Sequence, residues 1–174
     1  MDIEETDMTD KILINIIYLT FGALIIGLLG MAAYQQVSYM IFDIGSAFFV
    51  LTGGYLIVKN GRFLKTSYFR FIGIGVSAII IGAMFKIMHW PYASLILGFG
   101  YGWIAILYLI HQIINKNRRW IDWLKLLCLT MLLASKYFQT MHWPYNDEIY
   151  IISILLLIVI VIEYIKRNSK VTAL

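Results

Sequence analysis

Two five-residue strings concentrate the side chains that could exchange protons in an otherwise apolar chain. Met88-His89-Trp90-Pro91-Tyr92 recurs without change as Met141-His142-Trp143-Pro144-Tyr145, an offset of 53 residues (141 − 88). Lys86 precedes His89 by three, a spacing that puts both on one helix face. In the second copy Gln139 and His142 hold the matching places and the lysine moves back to Lys136. At 1.5 Å rise per residue, Lys86 lies roughly 4.5 Å below its histidine and can snorkel to an interface. Lys136 lies about 9 Å below His142, and burying it near a bilayer centre would cost on the order of 2.5 to 3.5 kcal/mol. Such a cost calls for water, a carbonyl cage or an acid; Asp43, Asp147 and Glu148 are the candidates. Lys86, His89, Lys136, Gln139 and His142 are therefore the candidate polar membrane site.

Other chemistry finds little support. Two histidines from separate turns lack accompanying cysteines, paired acids or an HxxxH spacing, so no metal centre is expected. No GxSxG, P-loop or zinc-protease motif occurs, so neither an enzyme nor a cofactor is expected. His111 and Glu163 read as wetted residues near the ends of apolar stretches. Cys128, the lone cysteine, reads as a small buried hydrophobe.

The elements that carry these residues follow from composition. Of 174 residues 61% are apolar and only 14% charged, against roughly 25% charged in soluble domains. Too few polar side chains remain to coat a soluble globule, so this is an all-α integral membrane protein with the lipid bilayer as its first partner. About 20 mostly apolar residues cross the hydrocarbon core, and six segments come near that length: Ile12 to Ala33, Tyr39 to Val58, Phe69 to Met88, Ala93 to Ile114, Trp120 to Phe138 and Ile149 to Ile165. None alternates as a barrel strand would.

Trp-Pro ends one helix and opens the next, and Trp and Tyr favour the headgroup level. Trp90, Pro91, Tyr92, Trp143, Pro144 and Tyr145 thus read as interfacial turns. Asn146 would cap the sixth span, with Asp147 and Glu148 against its positive end.

Lys59, Arg62, Lys65 and Arg70 follow span two, Lys116, Arg118 and Arg119 follow span four, and Lys166, Arg167 and Lys170 follow span six. The positive-inside rule places these stretches in the cytoplasm, and an even span count puts both termini there. Residues 1–11 form an acidic cytoplasmic N-terminus holding Asp2, Glu4, Glu5, Asp7 and Asp10, and 166–174 a basic cytoplasmic tail. The net charge of +4 reports topology, and no nucleic-acid partner is expected.

The 53-residue offset also aligns Phe85 with Phe138, and one step back it sets Tyr39 under Tyr92 and Gly45 under Gly98. Three tandem hairpins in parallel orientation are expected: 12–58 as a degenerate copy, with Gln36-Val37-Ser38 where the others have His-Trp-Pro, then 69–114 and 120–165. Gly45, Gly53, Gly54, Gly73, Gly75, Gly82, Gly98, Gly100 and Gly102 favour close helix approach.

The string Gly82-Ala83-Met84-Phe85-Lys86-Ile87-Met88-His89-Trp90-Pro91, followed by an apolar span, resembles the N-terminal transmembrane hairpin of the GldL family. These are inner-membrane motor proteins of Bacteroidota gliding motility and type IX secretion. The resemblance implies a bacterial inner-membrane location, oligomeric assembly, a membrane partner called GldM, and coupling of proton flow to motion. The family's lysine and histidine fall on Lys86 and His89, and its histidine alone on His142. The chain departs from the family in lacking an acid anywhere in Ala93 to Ile114, where the family places a membrane glutamate, and in joining three hairpins. Glu163 lies too near the cytoplasmic end to replace that glutamate. The expected function is a non-enzymatic scaffold or accessory subunit, packing with itself or a membrane partner. The alternative is a proton-conducting, stator-like subunit using Lys86, His89, Lys136 and His142. A small-solute transporter is the third class.

Overall fold

The computed structural model describes the backbone of residues 3–30, 35–59, 63, 66–115 and 119–171, with side chains described for all but the outer parts of α1, α2 and α6. Six helices occur in these segments: α1 (Ile3–Gly30), α2 (Gln35–Lys59), α3 (Tyr68–Ile87), α4 (Ala93–Ile114), α5 (Trp120–Met141) and α6 (Asn146–Val171). Ala33, Arg62, Lys65, Lys116, Arg118 and Asp2, all invoked in the topology argument, lie outside the described residues.

Five of the helices contain a stretch long and apolar enough to cross a membrane: Ile12–Gly30, Gln36–Tyr55, Tyr68–Ile87, Ala93–Ile114 and Asn146–Lys166. The exception is α5, expected as the fifth span. Its 22 residues suffice in length, but Asp122, Lys125, Lys136 and Gln139 dilute its apolar run below that of its neighbours. No more than 33% of any of the five stretches is buried within the chain. Leu19 and Ile87 are 76% and 78% exposed, an arrangement stable only where lipid replaces water.

The chain divides into two compact units, residues 1–61 with 161–174, and residues 62–160. In the first, α1 and α2 pack closely. A Cβ on Gly27 would lie 2.9 Å from the Phe42 backbone nitrogen, and one on Gly45 would lie 3.3 Å from the Ala23 methyl. Leu24, Phe42 and Phe49 fill the contact. Helix α2 begins at Gln35, so Gln36, Val37, Ser38 and Tyr39 lie inside a helix. The expectation that Tyr39 occupies a turn like that of Tyr92 is therefore corrected: with no proline in this stretch, nothing interrupts the helix.

In the second unit α3 packs on α4, and α4 on α5. The α3–α4 contact is dry and runs through glycine. A Cβ on Gly75 would sit 3.0 Å from the Gly100 carbonyl oxygen, one on Gly100 2.8 Å from the Gly75 oxygen, and one on Gly82 2.9 Å from the Leu97 nitrogen. Small residues let backbones meet where lipid offers no hydrophobic drive. On α4, Gly98 faces the Tyr137 hydroxyl of α5, 3.3 Å from where a Cβ would be. Gly54, Gly73 and Gly102 face open space, so composition alone placed too many glycines at helix contacts.

Candidate functional site

Both histidine-bearing turns are built by the same local chemistry. At the end of α3 the N–H of Trp90 donates to the Phe85 carbonyl at 2.8 Å and that of His89 to the Lys86 carbonyl at 3.2 Å. At the end of α5 the N–H of Trp143 donates to the Phe138 carbonyl at 3.0 Å and that of His142 to the Gln139 carbonyl at 3.3 Å. These two bonds, one spanning six residues and one inside it, form a Schellman cap, which requires a left-handed residue where the helix stops. That residue is His89 in one turn and His142 in the other, each with φ 54°. The cap also calls for an apolar contact between its outermost residue and the last helical turn. The Phe85 and Trp90 rings meet at 4.8 Å and the Phe138 and Trp143 rings at 5.1 Å, so the Phe85/Phe138 match at the 53-residue offset is the inner half of this cap.

The left-handed histidines correct one expectation. His89 and His142 have left their helices, so neither shares a helix face with Lys86 or Gln139. The link between each pair is the backbone hydrogen bond just described. Tyr92 and Tyr145 are also left-handed, φ 66° and 68°, and their carbonyls accept the first bonds of the next helices, from Ile96 and Ile149 at 3.1 Å. Asn146 is consequently the first residue of α6 and not its cap. Asp147 and Glu148 occupy its first turn as expected, beside the positive end of the helix dipole. Lys86, His89, His142, Trp90, Pro91, Tyr92, Trp143, Pro144 and Tyr145 are all exposed.

Lys136 does not meet a carboxylate in the contacts described for it. Its Nζ lies 3.1 Å from Gln139 Oε1 and 4.4 Å from the centre of the Tyr150 ring on α6. Of the five expected site residues, only Lys136 and Gln139 meet through their side chains. The pair sits on the exposed side of α5, so the ammonium keeps part of its solvation and gains a ring face, worth about 0.5 to 1 kcal/mol at an exposed site.

Several polar ties escaped the sequence reading. The Ser135 hydroxyl donates to the Asn146 carbonyl at 3.2 Å and the Cys128 thiol to the Ser153 carbonyl at 3.4 Å, tying α5 to α6. Cys128 is thus buried as expected, but it also serves as a donor. At the other end of α4, Gln112, 3% exposed, donates from Nε2 to the Asp122 carbonyl at 3.0 Å. The Asp122 carboxylate accepts the Arg119 N–H at 3.0 Å, at the third position of α5 where a capping box places Glu or Gln. Phe63 packs edge-on to Tyr108 and His111, each at 5.1 Å, so His111 is held in an aromatic cluster instead of being simply wetted. The Trp103 indole donates to the Phe71 carbonyl at 2.9 Å, a second link between α3 and α4. Among the described residues every buried side-chain nitrogen or oxygen has a partner, as a medium without water demands. The signal available in sequence was a polar residue inside an apolar run, which does not by itself identify the carbonyl it reaches.

This arrangement offers tight helix contact, two rigid aromatic turns and a lysine with neutral partners. The search of curated proteins and that of solved structures give no match. A match is found to the GldL N-terminal domain, over residues 71–128. The matched stretch contains nearly all of α3, the first Schellman turn, all of α4 and the first part of α5, and it stops short of Lys136 and the second turn. Residues 71–128 are thus similar to the GldL N-terminal domain, within a chain whose helices are long and apolar enough to cross a membrane.

Proposed function

We propose that this protein is a non-enzymatic scaffold or accessory subunit of a GldL-like assembly in the bacterial inner membrane, linked to gliding motility or type IX secretion. The observation that carries the reading is the α3–α4 contact inside the GldL-like stretch. Gly75 and Gly100 bring two backbones together with no room for a side chain, water or ion between them. A proton path through this hairpin would need titratable groups along it, and Ala93–Ile114 holds no acid. The neutral partners of Lys136 favour the scaffold over the proton-conducting, stator-like alternative, for which a carboxylate opposite that lysine would argue.

The same reading includes three hairpins in tandem, with α5 crossing the membrane as part of the third. The matching cap bonds, φ signs and ring contacts of the two MHWPY turns support a duplication of hairpin 69–114 as 120–165. The basic stretches after α2, α4 and α6 support cytoplasmic termini. The partner is a membrane protein or further copies of the chain. Purification from native membranes in mild detergent, followed by identification of co-purifying chains, tests the proposal. Recovery with other subunits of a motility or secretion complex is expected; recovery of the chain alone, as a monomer, would count against it.

A further inference from the structure

Two side chains of opposite charge stand on the exposed sides of their helices without an ion pair. Asp43 lies on α2, inside the apolar stretch Gln36–Tyr55 and roughly 10 Å of helix beyond Gln36. It is exposed, and among the described residues its carboxylate has no hydrogen bond or ion pair; only its main-chain carbonyl is used, by the Ser46 hydroxyl at 2.9 Å. Lys136 is exposed on α5, roughly 8 Å of helix before the final residue, Met141. Its partners, Gln139 and the Tyr150 ring, are both neutral. Alternate crossings put the start of α2 and the end of α5 at the same membrane face, so the two charges lie at nearly one depth below it.

Asp43 constrains the partner more than Lys136 does. A lysine can snorkel to the surface, where a lipid phosphate would satisfy it. An aspartate is too short to do so, and lipids carry their cations only at the headgroup level. An ionisable group inside a span is costly unless paired, so Asp43 calls for a protein cation at its own depth. The face around it admits one. Ala47 and Gly54 lie within about 40° of Asp43 around the helix axis, Ala47 is exposed, and a Cβ on Gly54 would meet nothing within 4 Å. Small residues of this kind let a second helix come close. The required cation, on a helix and near that depth, is one the chain itself carries as Lys136.

We propose that Asp43 of one copy pairs with Lys136 of a neighbouring copy, so that the exposed face of α2 receives the α5 side of a second chain. The contact rests on the proposed six-span topology and deepens the scaffold reading by naming the chain itself as partner. Both residues lie outside the GldL-like stretch 71–128, so it is separate from the α3–α4 packing. Helix α2 holds no other acid to hand a proton on, and the pair is therefore a tie between copies and not a proton path.

The test co-expresses two differently tagged copies of the full chain, solubilises the membranes in mild detergent, captures one tag and measures the other. The wild type is expected to bring down its second copy. Asp43→Lys expressed with itself sets two cations together, and Lys136→Asp with itself two anions; each should lower capture about fivefold or more. Co-expression of an Asp43→Lys copy with a Lys136→Asp copy should restore it, because opposite charges then meet across each mixed contact. Asp43→Asn, which adds no charge to the span, should lower capture as well and covers the case in which a reversed charge prevents insertion. Wild-type capture by all the variants would overturn the pair and leave the scaffold reading standing. Loss in the variants with no recovery in the mixed pair would set the two charges within one chain or against another protein, and equally overturn it. A wild type recovered without a second copy overturns it too, and the scaffold reading falls with it only if no other membrane protein co-purifies.

Discussion

Adding one methyl group to different glycines of the same hairpin should change stability in opposite directions. At Gly100 a Cβ would stand 2.8 Å from the Gly75 carbonyl oxygen and 2.9 Å from the Ile79 backbone nitrogen. Both are main-chain atoms, so neither can step aside as a flexible side chain would, and α3 must move off α4. Overpacking of this kind costs about 1 to 3 kcal/mol, against which alanine returns up to about 1 kcal/mol of helix propensity. With that return in full, the net expectation for Gly100→Ala is a loss of up to about 2 kcal/mol. At Gly102, two residues along the same helix, nothing lies within 4 Å of the added atom, so Gly102→Ala should gain up to about 1 kcal/mol from propensity alone. Reversible unfolding in mixed detergent micelles, followed by circular dichroism, measures both. Gly100→Ala gaining as much stability as Gly102→Ala would refute the close contact on which the scaffold reading rests.

The left-handed histidines give a second pair of expectations: His89→Gly and His142→Gly should each stabilise by up to about 1 kcal/mol, because glycine adopts φ 54° without the left-handed penalty, whereas His89→Val should destabilise. Gln112→Leu should cost on the order of 1 kcal/mol by removing the bond to the Asp122 carbonyl, read as a lower unfolding midpoint. Lys136→Met should be neutral or slightly stabilising, since the lost ring contact of about 0.5 to 1 kcal/mol is offset by relief of the lysine's desolvation; a large loss would mean that Lys136 holds α5 to α6. Cysteine labelling of Arg70→Cys in right-side-out vesicles should require membrane permeabilisation, and labelling of intact vesicles would reverse the topology.

The parts readable in sequence were those where one local signal outweighed all others. The limits of α4 coincide with those expected because Pro91 and Tyr92 stop continuation on one side and the basic connector stops the apolar run on the other. Phe85 and Phe138 announced themselves through the repeat, although the Schellman cap that uses them did not, because a cap of this kind carries glycine far more often than histidine. The placement of Lys86 with His89 failed for that reason: the three-residue spacing holds only while the helix continues. The placement of Tyr39 was misread in the opposite sense, since an alignment to a turn predicts a turn only where a breaker is present. Which glycines touch a neighbour depends on the rotation of each helix about its axis. Gly100 and Gly102 differ by two steps of that rotation, and the difference is set by tertiary packing. Likewise the polar ties from Ser135, Cys128 and Gln112 end on main-chain carbonyls, which every residue possesses, so no pairing rule reveals them.

The proposed scaffold builds and holds an assembly without itself conducting protons. Proton flux into proteoliposomes containing the wild type, Lys86→Met or Lys136→Met, driven by a potassium diffusion potential and read with an entrapped pH dye, tests it most directly. Flux at the level of empty liposomes is expected for all three. Flux above that level in the wild type, lost in Lys136→Met, would contradict it.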